Sequence, residues 1–528
     1  MSRVRNKRSS LSLHLLAVIT VFAAFLAISR VTAGDKRVPQ DRVPLPCVTG
    51  PLAETPASHP FLASEHLKQP LELSRYGYTE EEFLVSGEAR VFDWPKYGAP
   101  DQLSKGPFTT RILVRRPLDP KRFNGTAIVE PLNPSSPVDL PIMWAQSYQQ
   151  FMADGYAWVG VTIKPNTIKS LKRFDPRRYA SLEMPSPFPQ PLCRATDINP
   201  WAQPTTPDDE TGLAFDILSE VGALLKSDTK SNPLLSPAKR LYMTGQSQTA
   251  GYARTYATVF GEREAAPDGR PLYDAYLYSG SPPWQVPLNQ CMKEFPARDT
   301  RLLTGPAGVP IIEMFVEGDI GSNLETRRTD SDTAPDLFRR YEIAGASHVD
   351  PWEQRSFASA QDTLRASGQA DPIRDSSNCE PTGVQLSNFP VRYVFDSAWH
   401  NLDRWVRDGV PAPHGTPLEL RPSITTATFI PDEAFVLDQY GNVRGGVRTP
   451  YTDVPVAQWI GAKRGGFGCF FRGYKYEFDR RKLRSLYHDH ADYVGRVRAS
   501  ADALARQRWL TRTDAAAIIE EAEGAAVP

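Results

Sequence analysis

The sequence predicts an α/β fold: a mostly parallel sheet flanked by helices, with one inserted region and an irregular C-terminal extension. Three observations carry this reading. Two continuously apolar segments with strand composition, residues 126–130 and 157–163, flank a helical pattern over 142–153. That order implies a parallel sheet covered on both faces. Four further short apolar segments, 240–244, 273–278, 309–316 and 338–343, recur as a wound α/β sheet requires. Finally, 528 residues with 41% hydrophobic content are ample for a large core, and 48 prolines point to fixed turns and long connections rather than long helices.

The elements follow in order. Arg3, Arg5, Lys7 and Arg8 precede an apolar run over 11–28, and Val31, Thr32 and Ala33 offer small residues for cleavage. Residues 1–33 therefore read as an export signal, with an uncleaved N-terminal membrane anchor as the alternative. Residues 34–107 form a Pro-rich lead-in and the first strands, with segments 83–85 and 109–114 suggesting an antiparallel start to the sheet. The core is expected over 108–408. Within it, 164–210 is rich in prolines and aromatics with little periodicity, and reads as a cap-like insertion rather than core. A helix is expected over 211–226, with Leu213, Phe215, Ile217, Leu218, Val221 and Leu224 at helical spacings and Thr211 as its cap. Another is expected over 397–408. Residues 409–528 form an extension packed on the core, irregular and glycine-containing to about 473 and helical thereafter.

Charge and cysteines narrow the function classes. With 61 Lys+Arg against 61 Asp+Glu, the chain has no summed field to attract nucleic acid, and no DNA or RNA partner is expected. The cysteines at 47, 193, 291, 379 and 469 show no CxxC pair and no zinc spacing. In an oxidising compartment two disulfides with one thiol left over fit, without a choice among pairings; five unpaired buried cysteines are the alternative. Asn124, Gly125 and Thr126 form an N-glycosylation acceptor, which matters only in a eukaryotic source.

The chemistry-bearing segment is Met243-Thr244-Gly245-Gln246-Ser247-Gln248-Thr249-Ala250-Gly251, which follows a predicted strand and opens a predicted helix. This is the setting of a nucleophile elbow, where strand, turn and helix pack tightly around an exposed serine and need small neighbours. Gly245 meets that need; Thr249 stands where a second glycine is usual, so the match is incomplete. Downstream, Glu317 and Asp319 follow one predicted strand and His348 another. Serine, acid and histidine thus fall at the carboxyl ends of strands, where a parallel sheet gathers its functional loops.

On Gly245-Gln246-Ser247-Gln248, Glu317-Gly318-Asp319 and Gly345-Ala346-Ser347-His348, the chain resembles the α/β-hydrolases, and more narrowly large exported serine hydrolases with long insertions. The resemblance implies a serine hydrolase with Ser247 as nucleophile, His348 as base and Asp319 as the acid orienting it. Glu317 is the alternative acid; Asp319 is preferred because the family's acid usually sits at this later position. The backbone N–H of Gln248 is the expected first oxyanion donor, and the loop after the 126–130 strand the second. Prolines cannot donate, which leaves Leu132 and Asn133, with Asn133 favoured.

Other residues admit plainer readings. His488, His490 and Asp492 invite a metal, yet histidines at i and i+2 on a helix diverge, so a solvated face is expected. His400 is expected to be packed or hydrogen-bonded behind the site. Trp201 and Trp284 either line an acyl or aryl pocket or serve ordinary cap packing. No phosphate loop, dinucleotide turn or metalloprotease helix pair is present, so no cofactor and no metal is implied. The expected function is cleavage of a small-molecule or polymeric carboxylic ester through an acyl-enzyme, since this fold hosts esterases most often. A peptidase or amidase on the same residues and a noncatalytic binding protein remain alternatives. Membrane association is expected only if the N-terminal segment is retained.

Overall fold

The computed structural model describes residues 41–527 apart from 97, 203–205, 267–268, 371–378, 423, 425–433 and 466. The expected signal or anchor, residues 1–33, lies outside the described residues. Ten strands form one sheet: β1 (Cys47–Thr49), β2 (Tyr78–Asp93), β3 (Asp101–Pro117), β4 (Thr126–Pro131), β5 (Ala157–Val161), β6 (Arg240–Gln246), β7 (Ala275–Ser279), β8 (Ile311–Val316), β9 (Ser331–Thr333) and β10 (Asp336–Ile343). Across the sheet they run β9-β10-β8-β7-β6-β4-β5-β3-β2-β1. The pairs from β5 through β10 are parallel, while β1, β2 and β3 enter antiparallel and β9 closes the far edge antiparallel. The predicted α/β-hydrolase architecture is therefore present, with each of the six predicted parallel strands in place.

The first strands are much longer than expected. Segments 83–85 and 109–114 grow into β2 and β3, and the boundary expected at 107/108 falls inside β3, where Phe108 is buried. Charged residues hid this length. Glu82 pairs with Arg111 at 2.8 Å and Glu80 with Arg115 at 2.6 Å across the two strands, and Arg111 and Glu82 are fully buried. Such pairs satisfy each other's charge within the sheet, yet they break any apolar alternation in the sequence.

Helices α1 (Ile142–Asp154), α2 (Pro165–Phe174), α3 (Leu213–Lys226), α4 (Gln248–Phe260), α5 (Ala360–Ser367) and α6 (Arg392–Asp408) belong to the core. Glu130, at the end of β4, accepts hydrogen bonds from the first-turn amides of Met143 and Trp144 and from Trp158 Nε1. An acidic group suits a helix N-terminus, although complete burial pushes this one up to about 7.

Three expectations need correction. The insertion 164–210 is not purely cap: α2 was not foreseen, and its Ile168, Leu171 and Phe174, together with Tyr179 and Leu182, join the main hydrophobic core. Thr211 does not cap α3; Gly212 precedes the helix, and the Glu210 carboxylate accepts the Gly212 N–H at 2.8 Å. His400 is exposed, while Trp399 and Trp405 on the inward face of α6 are buried.

The C-terminal helices α7 (Arg480–Leu486), α8 (His490–Arg506) and α9 (Arg512–Glu523) build an apolar cluster of their own, into which Tyr393 of α6 reaches. A small antiparallel sheet, β11 (Gln385–Leu386), β12 (Ala457–Ile460) and β13 (Tyr474–Glu477), orders part of the irregular region. Disulfides join Cys193 to Cys291 and Cys379 to Cys469, leaving Cys47 as the free thiol. Among the described residues no helix is long and apolar enough to cross a membrane.

Candidate active site

The parallel register sets the site. Gln246 of β6 lies opposite Ser279 of β7, Ser279 opposite Met314 of β8, and Val316 opposite Ile343 of β10. The segments leaving β6, β8 and β10 therefore emerge along one edge, and they carry Ser247, Asp319 and His348.

Ser247 occupies φ 57°, ψ −123°, a left-handed conformation that costs an L residue free energy unless the surroundings enforce it. Two neighbours enforce it here. A Cβ on Gly245 would sit 2.4 Å from the Thr249 carbonyl oxygen, so only glycine fits the close approach of strand and helix. Thr249, the departure from the usual glycine, braces the turn instead: its hydroxyl accepts the Gln246 N–H at 3.2 Å and donates to the Gln246 carbonyl at 3.0 Å. The Ser247 amide donates to the Ser279 carbonyl at 2.9 Å.

His348 and Asp319 meet directly, with Nδ1 2.6 Å from Asp319 Oδ1. The other carboxylate oxygen of Asp319 accepts the Val316 N–H at 3.2 Å, and the Asn323 amide donates to the Asp319 carbonyl at 3.1 Å. Both side chains are buried. Gly280 packs against the pair in a left-handed turn, φ 64°, where a Cβ would come 3.0 Å from Asp319 Oδ2 and from His348 Cε1.

The far side of the ring faces Gln246. Its Nε2 lies 3.3 Å from His348 Nε2 and 3.1 Å from the His348 carbonyl oxygen. A carbonyl only accepts, so the amide NH2 group must face it, and that same NH2 group then faces Nε2 as a donor. The arrangement fits a neutral imidazole protonated at Nδ1 toward Asp319, with its lone pair on Nε2. Among the described residues, the Ser247 hydroxyl makes no hydrogen bond to the ring.

Glu317 is occupied elsewhere. Its oxygens accept the Gly461 N–H at 2.8 Å and the Gly345 N–H at 2.7 Å, which ties β8 to the C-terminal extension and to the loop before His348. Asn133 needs a correction too. Its backbone N–H donates to the Leu140 carbonyl at 2.9 Å, and that of Leu132 to Val161, so neither is available to an oxyanion. The Asn133 side chain instead donates to the Gln246 carbonyl at 2.7 Å and supports the turn before Ser247. Gln248 opens α4 directly after Ser247.

Ser247, Gln248, Asp319 and His348 border a cavity of about 550 Å³. Trp201 and Trp284 both line it, stacked with centroids 3.8 Å apart, so these two residues are wall and packing at once. Phe470 and Phe471 form another part, with the Phe471 ring 4.8 Å from the imidazole. Glu353 is a second buried acid in the wall; it accepts from Gln146 at 3.0 Å, and burial, with Asp350 nearby, holds its carboxyl well above the usual range. Sequence reasoning missed Gln246, Gly280 and Glu353. Gln246 and Gly280 adjoin strand ends, a signal that was legible; Glu353 carried none.

The histidines near the C-terminus lie elsewhere. His488 is exposed beside Asp489, and His490 meets the carbonyls of Glu523 and Val527 at the end of α9. Among the described residues, the group with metal-holding proximity is His59, His66 and Asp362, none of which lines the cavity.

A family model described as an alpha/beta hydrolase domain matches residues 48–520. The chain belongs to that family. No curated protein matches the chain. Among solved structures, a dienelactone hydrolase from Anabaena variabilis is similar at 13% identity, covering 53% of this chain and 95% of its own, with a TM-score of 0.27. A glucuronoyl esterase from Solibacter usitatus is similar at 10% identity over 50% of this chain and 77% of its own, with a TM-score of 0.25. Candida antarctica lipase A is similar at 10% identity over 42% of this chain and 43% of its own, with a TM-score of 0.22. Alignments so partial carry no inference about activity.

Proposed function

We propose that the protein is an exported serine hydrolase that cleaves a carboxylic ester through an acyl-enzyme. The observation that carries this reading is the strained Ser247 on the β6–α4 turn, at the edge of the cavity that the Asp319–His348 pair also borders. The Ser247 hydroxyl attacks the ester carbonyl carbon while His348 Nε2 takes its proton. Asp319 holds the ring in the required tautomer and offsets its positive charge. The tetrahedral intermediate then collapses, and the alcohol leaves with the proton from Nε2. Water, deprotonated by the same nitrogen, releases the acid and restores the serine.

For this cycle the Gln246 amide must give way to the serine hydroxyl at Nε2, a shift open to a side chain held by hydrogen bonds of 3.1 Å and 3.3 Å. The Gln248 N–H, at the head of α4, supplies one oxyanion donor. The Trp201–Trp284 stack and the Phe470 and Phe471 rings suit an apolar or aromatic group on the ester. Export is supported by the basic and apolar N-terminal sequence and by the two disulfides.

Stopped-flow hydrolysis of activated nitrophenyl esters tests the proposal, alongside nitroanilides of the same acyl groups. The expected result is a burst of about one equivalent of nitrophenol per chain, followed by a slower steady rate. Burst and steady rate should both vanish in Ser247→Ala, and the anilides should turn over far more slowly. Anilides faster than esters would assign the chemistry to amides. Full ester turnover in Ser247→Ala would overturn the assignment of the nucleophile.

A further inference from the structure

We propose that His59, His66 and Asp362 form a binding site for a divalent transition metal, zinc by the chemistry of the donors, that fastens the N-terminal lead-in to helix α5. One nitrogen from each imidazole and one oxygen from the carboxylate lie within 4.8 Å of one another, although Asp362 is about three hundred positions away in the chain. His59 Nε2 is 3.1 Å from Asp362 Oδ2. Two ligands bound at about 2.0–2.1 Å to one tetrahedral zinc stand about 3.3 Å apart, so this edge of the site already has nearly the separation required. Two imidazoles and a carboxylate form a mixed nitrogen and oxygen set that suits zinc and leaves one position for water.

The backbone around the three residues is fixed independently of any ion. The Ser359 N–H donates to the His66 carbonyl at 2.8 Å, Leu67 bridges Ala358, and the Lys68 and Gln69 amides donate to the Phe357 and Arg355 carbonyls. This short zipper places His66 beside the start of α5. The Ser359 hydroxyl then caps α5 at the Asp362 amide itself, 3.2 Å away, which fixes the carboxylate on the first turn. His59 is held from the other side: Ser58 donates to Asp175 at 2.6 Å, the Phe61 amide to the Tyr179 hydroxyl at 2.9 Å, and the Phe174 ring packs edge-on at 5.4 Å.

One adjustment is required. The two imidazoles stack with centroids 3.7 Å apart and planes 11° apart, whereas a shared ion lies in the plane of each ring. The adjustment falls on His66, which is exposed and free to turn about its side-chain bonds, while half-buried His59 and buried Asp362 stay in place. The bound ion would tie together two segments of which the second leads, through Phe357 and Gln369, into the wall of the cavity. The site would therefore act on the stability of that wall, and it does not depend on the proposed ester chemistry.

The test uses the purified full chain, stripped with a chelator and then titrated with Zn2+ by calorimetry and with Co2+ by visible absorption. The expected result is one ion per chain, tetrahedral d–d bands in the cobalt form, and a melting midpoint that rises with zinc and falls back with chelator. Affinity should drop by about 100-fold or more in His66→Ala and in Asp362→Asn, since changes merely next to metal ligands already cost about 10–100-fold. His488→Ala, at an exposed histidine elsewhere, should bind as the parent does. His66→Ala removes a solvent-exposed side chain, so it keeps the test decisive even if Asp362→Asn folds poorly. Absence of a one-to-one site in the parent chain, or binding unchanged in His66→Ala, would overturn the proposal.

Discussion

The edge of the sheet and the walls above it are built by different means. At the edge, Ser247, Asp319 and His348 each stand within five residues of a parallel strand, so the hydrogen-bond register delivers all three to the same side of the sheet. In the walls, Trp201, Phe470 and Phe471 belong to long connections with little regular structure, and covalent ties hold those connections. Cys193–Cys291 closes a separation of 98 residues between the insertion and the turn after Trp284, and Cys379–Cys469 one of 90 residues beside Phe470. The geometry of the proposed chemistry is thus inherited from the sheet, whereas the shape of the cavity depends on cross-links distant in sequence.

The largest expected effect separates the two acids at the edge. Asp319→Asn should lower kcat by about 10⁴-fold, because the amide no longer holds the productive imidazole tautomer. Glu317→Gln should leave kcat within about tenfold and instead weaken the fold by about 1–3 kcal/mol, as the amide gives the Gly345 and Gly461 N–H groups one acceptor oxygen in place of two. Kinetics and denaturant unfolding of both variants check the contrast; reversed behaviour would make Glu317 the acid.

The next effect belongs to the walls. Replacing Cys379 and Cys469 together by serine should cost about 2–5 kcal/mol of stability and raise KM more than it lowers kcat, since the residues proposed to carry the reaction stay on the sheet. Unfolding curves and ester kinetics measure this. A loss confined to kcat would mean that the wall also positions the reacting groups.

The smallest effect is a pH dependence beside the cavity. Burial raises the Asp350 carboxyl to about 6. Its folded pKa thus lies above the unfolded value, so the folded state holds the proton more tightly. The associated stability is present below about pH 4 and is lost as pH rises to about 6. The difference in unfolding free energy between the parent and Asp350→Asn should therefore shift against the parent by about 2 kcal/mol between pH 4 and pH 7. A difference that does not change with pH would contradict the assignment.

How much could be read from the chain follows the same division. The parallel strands were legible because burial on both faces leaves continuous apolar runs, and the turn at Ser247 because Gly245 announces it. The choice between Glu317 and Asp319 lay in a single short turn that sends residues two positions apart in different directions, which no periodicity encodes. Asn133 was misread because its amide is consumed by a bridge to Leu140 inside a Pro-rich loop. Helix α2 was legible after all: Pro165 opens it, and Ile168, Leu171 and Phe174 repeat every third residue, but the surrounding prolines obscured the signal. The disulfide pairing and the His59–Asp362 contact join segments far apart in the chain, and only the folded structure supplies them.

The proposed role of Ser247 is that of nucleophile, activated by His348. Its most direct test is peptide mapping by mass spectrometry after reaction with a fluorophosphonate. One adduct per chain is expected, on the peptide that contains Ser247, with labelling strongly slowed in His348→Ala. An adduct on a different residue, or none on folded protein, would contradict it.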